Sequence, residues 1–481
     1  MTEDSQAQNP ISGKNLNLFQ KLTYSLGNFG VGYGPATFAF LAYFFYGRET
    51  ESGEKIVYVS IATFSIIWFL CNALNGITDP IVGYLSDRSR SRWGRRKPWV
   101  IIGAPFLAIS FFFIWCPPTE TPSLANNVVL FTSLFFFWFF FTVVVAPYLS
   151  LLPEITPHDK ERVQLSAIMS VFGDVLGSLT GNLLPVFVVL TASGIWFLEG
   201  GYQSVAFIGA IAIVFFSIFS VLFVKETYVP PPVETGTNKG VIKKALSEFG
   251  STFKNKAFLP YLVGVFFYRM AIMITLTLTP FVATKILGSY PVSKADLGIL
   301  SVLPEVVGES GVPNWEAAAG YLMMVVLVGA MVFFVPVSFL AAKTGKRILF
   351  ILALAWLGVV LILMSTIGYW PGVSPVTQAM ILFALAAIPV AIALVVMRPL
   401  LADVIDADEK LTGLRREGVY NGMEGLIMKV AAGLGPLIAG IIFAVFGASV
   451  EDSLGVRICG PVAGVCLLIA AYAFTKYPIK K

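Results

Sequence analysis

Four ionisable side chains, Asp79, Asp174, Arg269 and Lys429, stand inside long apolar stretches of this chain. A charge at the centre of a membrane helix costs at least ~2.5–3.5 kcal/mol, so such groups face a partner or a water-filled cavity. Two acids and two bases allow mutual neutralisation. Asp79 lies about seven residues and Lys429 about eleven residues from the same edge of the apolar region, a depth difference of ~6 Å. A lysine side chain covers that distance between neighbouring helices. The pair reads either as a fixed tie or as one broken and remade when a cation reaches the carboxylate. Asn75, Thr78 and Asp79 fall at i, i+3 and i+4, hence on one helix face. Their oxygens suit a small hard cation, and the carboxylate alone suits a proton, so the expected coupling ion is H⁺ or Na⁺. Arg269 offers a fork of donors to an anionic or hydroxyl-rich solute, or a partner to Asp174. Tyr148 and Tyr420 complete the substrate-binding candidates.

A second cluster follows Asp79 directly. The run NGITDPIVGYLSDRSRSRWGRRKPW (75–99) ends in six bases within ten residues, from Arg88 to Lys97. Positive charge of this density exceeds what helix orientation needs, although anchoring to anionic lipid uses it too. We expect a cytoplasmic gate here. Gly83 would let two helices approach closely, and Asp87, Arg88, Arg92, Arg95 and Arg96 would pair with Glu154, Asp403 and Asp406, with Arg416 beside them.

These residues need a membrane scaffold to position them. The chain has 481 residues, 13% charged and 57% hydrophobic, with a mean hydropathy of +0.80. Soluble proteins carry about 25% charge. A spanning helix needs about 20 mostly apolar residues. Twelve segments meet that need: 22–46, 57–85, 99–116, 128–152, 165–191, 205–224, 258–287, 319–340, 348–367, 379–401, 418–446 and 458–474. The connections after segments 2, 4, 6, 8 and 10 carry Lys and Arg, whereas those after 3 and 9 carry none. Basic loops stay in the cytoplasm, so both termini are expected there, in a multi-pass protein of the plasma (inner) membrane. Residues 1–20 lack an apolar run before a cleavage site, so no cleaved signal is expected.

The polar, Pro-rich stretch 225–257 divides the segments six and six. Each half has a basic turn after its second segment, SDRSRSRWGRRKPW and AAKTGKRILF. Each has a proline followed by an acid seven residues on, Pro147 to Glu154 and Pro399 to Asp406. The expected organisation is a tail at 1–21, a six-helix bundle at 22–224, a linker at 225–257, a second bundle at 258–474 and a tail at 475–481. Duplicated bundles with a midplane site are a plan of secondary transporters. Four scattered cysteines without ligand spacing and a single histidine, His158, argue against a structural metal or a His-based triad. No phosphate loop or nucleophile–base pair points to an enzyme. The expected partners are a small-molecule substrate and membrane lipid, with no cofactor, no nucleic acid and a monomeric state.

The stretches KLTYSLGNFG, TDPIVGYLSDRSRSRWGRRKPW, APYLSLLPEIT with DKERVQL, and DVIDADEKLTGLRREGVYNGMEGLIMKVAAGLG resemble the major facilitator superfamily. Within it they are most similar to the glycoside–pentoside–hexuronide:cation symporters. The resemblance implies an all-α membrane protein of twelve helices in two pseudo-symmetric bundles, performing cation-coupled symport of a sugar or glycoside by alternating access. It implies that Asp79 is a cation-site carboxylate and Lys429 the lysine near it. Sodium-coupled melibiose transporters carry further acids where this chain has Asn75 and Gly32. Their sugar-contacting acid, arginine and stacking tryptophan fall here at Val145, Ser170 and Leu149. Sodium-dependent lysolipid transporters of animals look related as well, which implies an amphiphile as the alternative cargo; a non-transporting receptor is the third reading.

Overall fold

The computed structural model describes residues 16–49, 55–89, 91–156, 159–191, 201–224, 255–290, 313–413 and 416–478, together with Thr252 and Val306. His158 and most of the expected linker lie outside the described residues, as do the side chains of Asp87 and Arg88.

Helices form where apolar runs begin on a side chain that satisfies the free amides of the first turn. Asn17 and Gln20 make a reciprocal capping box on α1 (Leu18–Thr37), and Ser60 accepts from the Thr63 amide at 3.2 Å to open α2 (Ile61–Arg88). α3 (Lys97–Ile114) carries Pro98 in its first turn, and Ser123 caps α4 (Leu124–Ile155). α5 (Asp159–Ser170) runs on through a π-helical turn, Val171–Gly177, into Ser178–Asn182, then bends by 50° into Leu184–Leu190. There follow α6 (Gly201–Leu222), α7 (Phe258–Phe281), α8 (Trp315–Thr344), α9 (Lys346–Leu363), α10 (Pro375–Thr412), α11 (Glu417–Phe446) and α12 (Leu454–Thr475).

Ten of these helices are long and apolar enough to cross a membrane, and the bent fifth rod makes an eleventh. The first rod, continued past Thr37 by a 3₁₀ turn (Phe38–Phe40) and a π-turn (Tyr43–Gly47), packs among them despite its polar content. α10 runs well past the expected residue 401. Its polar extension ADVIDADEKLT stays helical until Gly413 takes a left-handed conformation at φ 70°.

The packing repeats with an offset of six. α1 packs on α6, and α7 on α12. α3 packs on α4 and α6, and α9 on α10 and α12. α2 meets α4, and α8 meets α10. Between the halves, α2 packs along α11, and α8 meets the Ser178–Asn182 and Leu184–Leu190 pieces of the fifth rod. Glycines permit the closest approaches. A Cβ on Gly440 of α11 would lie 1.8 Å from Ser65 Oγ of α2, and one on Gly433 3.1 Å from Phe69. Near the basic loops the two helices separate: a Cβ on Gly83 or Gly425 would meet nothing within 4 Å. The close approach expected at Gly83 is therefore absent.

Candidate functional site

The α2–α11 seam holds the central charges. Six apolar residues of α2, Ile66, Leu70, Leu74, Ile77, Ile81 and Leu85, form an exposed stripe along one face. At 100° per residue, Asp79 lies about 160–200° round the helix from Ile77 and Ile81. Its side chain is nonetheless 45% exposed. That exposure faces the interior between the halves, away from the apolar stripe.

Asp79 Oδ2 makes an ion pair with Lys429 of α11. The same ammonium donates to the Asn75 carbonyl at 3.2 Å. On its other side, Asp79 Oδ1 accepts from the Thr142 hydroxyl of α4 at 2.7 Å, and Thr142 also reaches Asn75 Oδ1 at 3.0 Å. Thr78 donates to the Asn75 carbonyl at 3.0 Å. Asn75, Thr78, Asp79 and Lys429 thus come together, and Thr142 joins them. Thr142 had no signal in the sequence, where it is one hydroxyl in the apolar run WFFFTVVV. The cluster is a set of oxygens around one carboxylate, with a lysine ammonium against it.

The remaining candidates scatter. Arg269, in the middle of α7, makes no hydrogen bond or ion pair with any described residue, and its Nε is buried without a partner. Asp174 is exposed on the π-turn of the fifth rod, which packs against α1. The two do not pair. Tyr148 is fully buried; its hydroxyl donates to Tyr24 O at 2.7 Å, and the Tyr24 hydroxyl returns a bond to Tyr148 O at 2.5 Å. Tyr420 is buried against Phe258, its oxygen accepting from Asn255 at 3.3 Å. Both hydroxyls are spent on neighbouring helices and loops.

At the basic face each described ion pair closes within its own half. Arg95 and Arg96 both bind Glu154, at 2.5 and 2.6 Å. Asp403 binds Lys346 at 2.6 Å, and Arg398 approaches Glu424 at 3.6 Å. Arg416 binds Asp408 in a two-pronged pair at 2.5 and 2.8 Å, and that hydrogen bonding holds its pKa above the ordinary arginine value. Asp406 is exposed, and Arg92 lies 5.7 Å from the Trp93 ring. Among the described residues the expected bridging of the arginines to Asp403 is not made.

The opposite face carries the cross-half contacts that the sequence reading missed. Glu49, at the end of the first rod, pairs with Lys285, whose side chain is 1% exposed beyond α7. Glu316, in the first turn of α8, accepts from Tyr202 at 3.0 Å and Tyr43 at 3.3 Å, with Arg48 at 3.9 Å. Arg48 also lies 4.7 Å from the centre of the Tyr202 ring. Burial opposes the charge on Arg48, but Tyr202 and Glu316 more than offset it and raise its pKa. Two ion pairs and two tyrosines therefore tie the halves together on this face.

Among the described residues, twelve helical rods in two repeated sets, with charges on the seam between them, define a major facilitator transporter. The crystal structure of the nucleoside transporter NupG matches it with a TM-score of 0.63, covering 97% of this chain and 100% of that one at 13% identity. The family model described as MFS/sugar transport protein matches residues 23–315 and 311–459. The chain belongs to that family, and it is a multi-pass membrane transporter rather than an enzyme. An uncharacterized symporter of Synechocystis sp. is 22% identical over 90% of this chain and 86% of its own. The isoprimeverose transporter of Lactiplantibacillus pentosus is 24% identical over 46% of this chain and 45% of its own. The sodium-dependent lysophosphatidylcholine symporter 1-B of Danio rerio is 33% identical, over 25% of this chain and 23% of its own.

Proposed function

We propose that this transporter is a symporter that couples a cation, H⁺ or Na⁺, to movement of a small polar solute, a sugar or glycoside. The observation that carries the reading is the Asp79–Lys429 pair on the seam, solvated from the inside and backed by the Thr142 and Asn75 oxygens. A proton neutralises Asp79; a sodium ion takes the oxygens that the ammonium now occupies. Either event releases Lys429 from α2 and loosens the tie between the halves. The symporter and sugar-transporter names of the relatives support coupling and cargo class alike.

In this reading the structure is the inward-open state. The basic face lies in the cytoplasm with both termini, in the plasma membrane, and the Glu49–Lys285 and Glu316 contacts seal the outer face. Six-helix bundles at 22–224 and 258–474 rock about the seam, with 225–257 as their linker and the single chain as the working unit. The test is uptake by proteoliposomes under an imposed Na⁺ or H⁺ gradient. Asp79→Asn should abolish accumulation while leaving counterflow exchange; accumulation equal to wild type removes Asp79 from coupling.

A second reading is transport of a lysolipid or other amphiphile. It is favoured by an open surface groove of about 660 Å³ between α3 and α6, lined entirely by apolar residues that include Phe112, Phe113, Phe207 and Phe215. Lysolipids belong in the same uptake screen.

A further inference from the structure

We infer that the transported solute carries a negative charge and that Arg269 is its anchor. The inference rests on the symport reading and narrows its substrate class to anions that carry a carboxylate or phosphate group.

Arg269 lies about 16 Å along α7 from its first residue, and Lys429 about 18 Å along α11, so both are at mid-membrane depth. Lys429 is taken by Asp79. Glu424, the acid on α11 nearer the basic face, is taken by Arg398 and by the Tyr261 hydroxyl. Asp174 is on a rod that packs against α1 and makes no pair with Arg269. Among the described residues the centre of the seam therefore holds one positive charge without a counterion. Guanidinium keeps its proton at any physiological pH. An isolated charge in such a place is expensive, and proteins retain one where a ligand completes it.

The side of α7 that bears Arg269 is fixed by its neighbours. Arg269, Met273 and Leu276 stand at i, i+4 and i+7, on one face. Met273 and Leu276 line a cavity of about 40 Å³ that Pro35 and Phe38 of the first rod, Trp68 of α2 and Pro436 of α11 close from the other sides. Arg269 is thus one turn from that cavity toward the basic face, on the inter-half surface. Its Nε is already desolvated and lacks an acceptor. A carboxylate or phosphate at this point would accept from the guanidinium fork in two places, leaving the solute's hydroxyls to other contacts.

The test measures binding to purified protein by calorimetry, with methyl glucoside, methyl glucuronide, glucose 6-phosphate and a lysophosphatidate as probes. At least one anion should bind wild type tenfold or more tightly than the neutral glycoside. Arg269→Gln should lose that advantage, and Arg269→Lys should keep only part of it. The carboxylate and phosphate arms identify the anionic group, and the lysophosphatidate arm separates a lipid headgroup from a free solute. Equal binding of the neutral glycoside, unchanged anion binding in Arg269→Gln, or no binding by any of the anions overturns the inference. Arg269→Leu should unfold no earlier than wild type without ligand, because it removes an uncompensated charge; a fall of several degrees makes Arg269 a packing residue and also overturns it. Ion-driven accumulation of a neutral glycoside by Arg269→Gln would sink the anchor and spare the symport reading. Anion binding that depends on Arg269 but drives no accumulation would do the reverse.

Discussion

The two oxygens of Asp79 face different partners, Lys429 on one side and Thr142 on the other. A hydroxyl donated to a charged acceptor contributes about 1.5–3 kcal/mol. Thr142→Val removes it without changing side-chain volume, so the half-saturating concentration of the coupling ion should shift by about tenfold or more, read from ion titrations of uptake. An unchanged value would leave Thr142 as packing. Gly32 makes a sharper case. Melibiose transporters carry an acid at the corresponding position, but here a Cβ on Gly32 would lie 2.0 Å from Gly173 O. The first and fifth rods meet backbone to backbone at that point. Gly32→Asp should therefore fail to give monodisperse protein in size-exclusion chromatography. The single-carboxylate site follows from this contact as well as from Asn75.

At the scale of elements, the seam is asymmetric. α2 and α11 touch at Ser65 and Gly440 and part by Gly83 and Gly425. Lys285 and Glu49 close the touching end. Lys285 is 1% exposed but Glu49 is 32% exposed, so removing one partner costs less than the roughly 3–5 kcal/mol of a fully buried pair. Lys285→Met should shift the population toward opening of that face. Spin labels at Leu124 and Tyr369, both exposed near it on opposite halves, should report a longer distance by pulsed EPR. The double variant with Glu49→Gln should recover part of the change, since no lone charge is left.

Across the whole molecule, ion and solute together should close the basic face. Labels at Trp93 and Leu411, exposed there on opposite halves, should approach when both are added and not with either alone. Much of this architecture was legible in the sequence. Twelve apolar runs, a repeat offset by six and charges isolated in those runs are local signals, and they led to Asp79 and Lys429. Pairings were harder to read. Arg95 and Arg96 share Glu154 as expected, because α3 and α4 pack together, but Asp403 takes Lys346, and Arg416 takes Asp408, which nothing in the sequence marked. Glu49, Lys285 and Glu316 sit at helix ends, where charge is ordinary, so nothing marked them before the rods were assembled. Thr142 was hidden among phenylalanines and valines. The Lys285 ammonium has one further consequence. Dissolved electrolyte weakens attraction between wetted charges over about 10 Å at 0.1 M and about 3 Å at 1 M, and hardly reaches a group shut away from water. With 1% of its surface exposed, Lys285 is such a group, but its partner Glu49 is 32% exposed, whereas Arg96 and Glu154 on the other side are 10% and 9% exposed, so brine should reach the seal through Glu49 while leaving the Glu154 pairs intact.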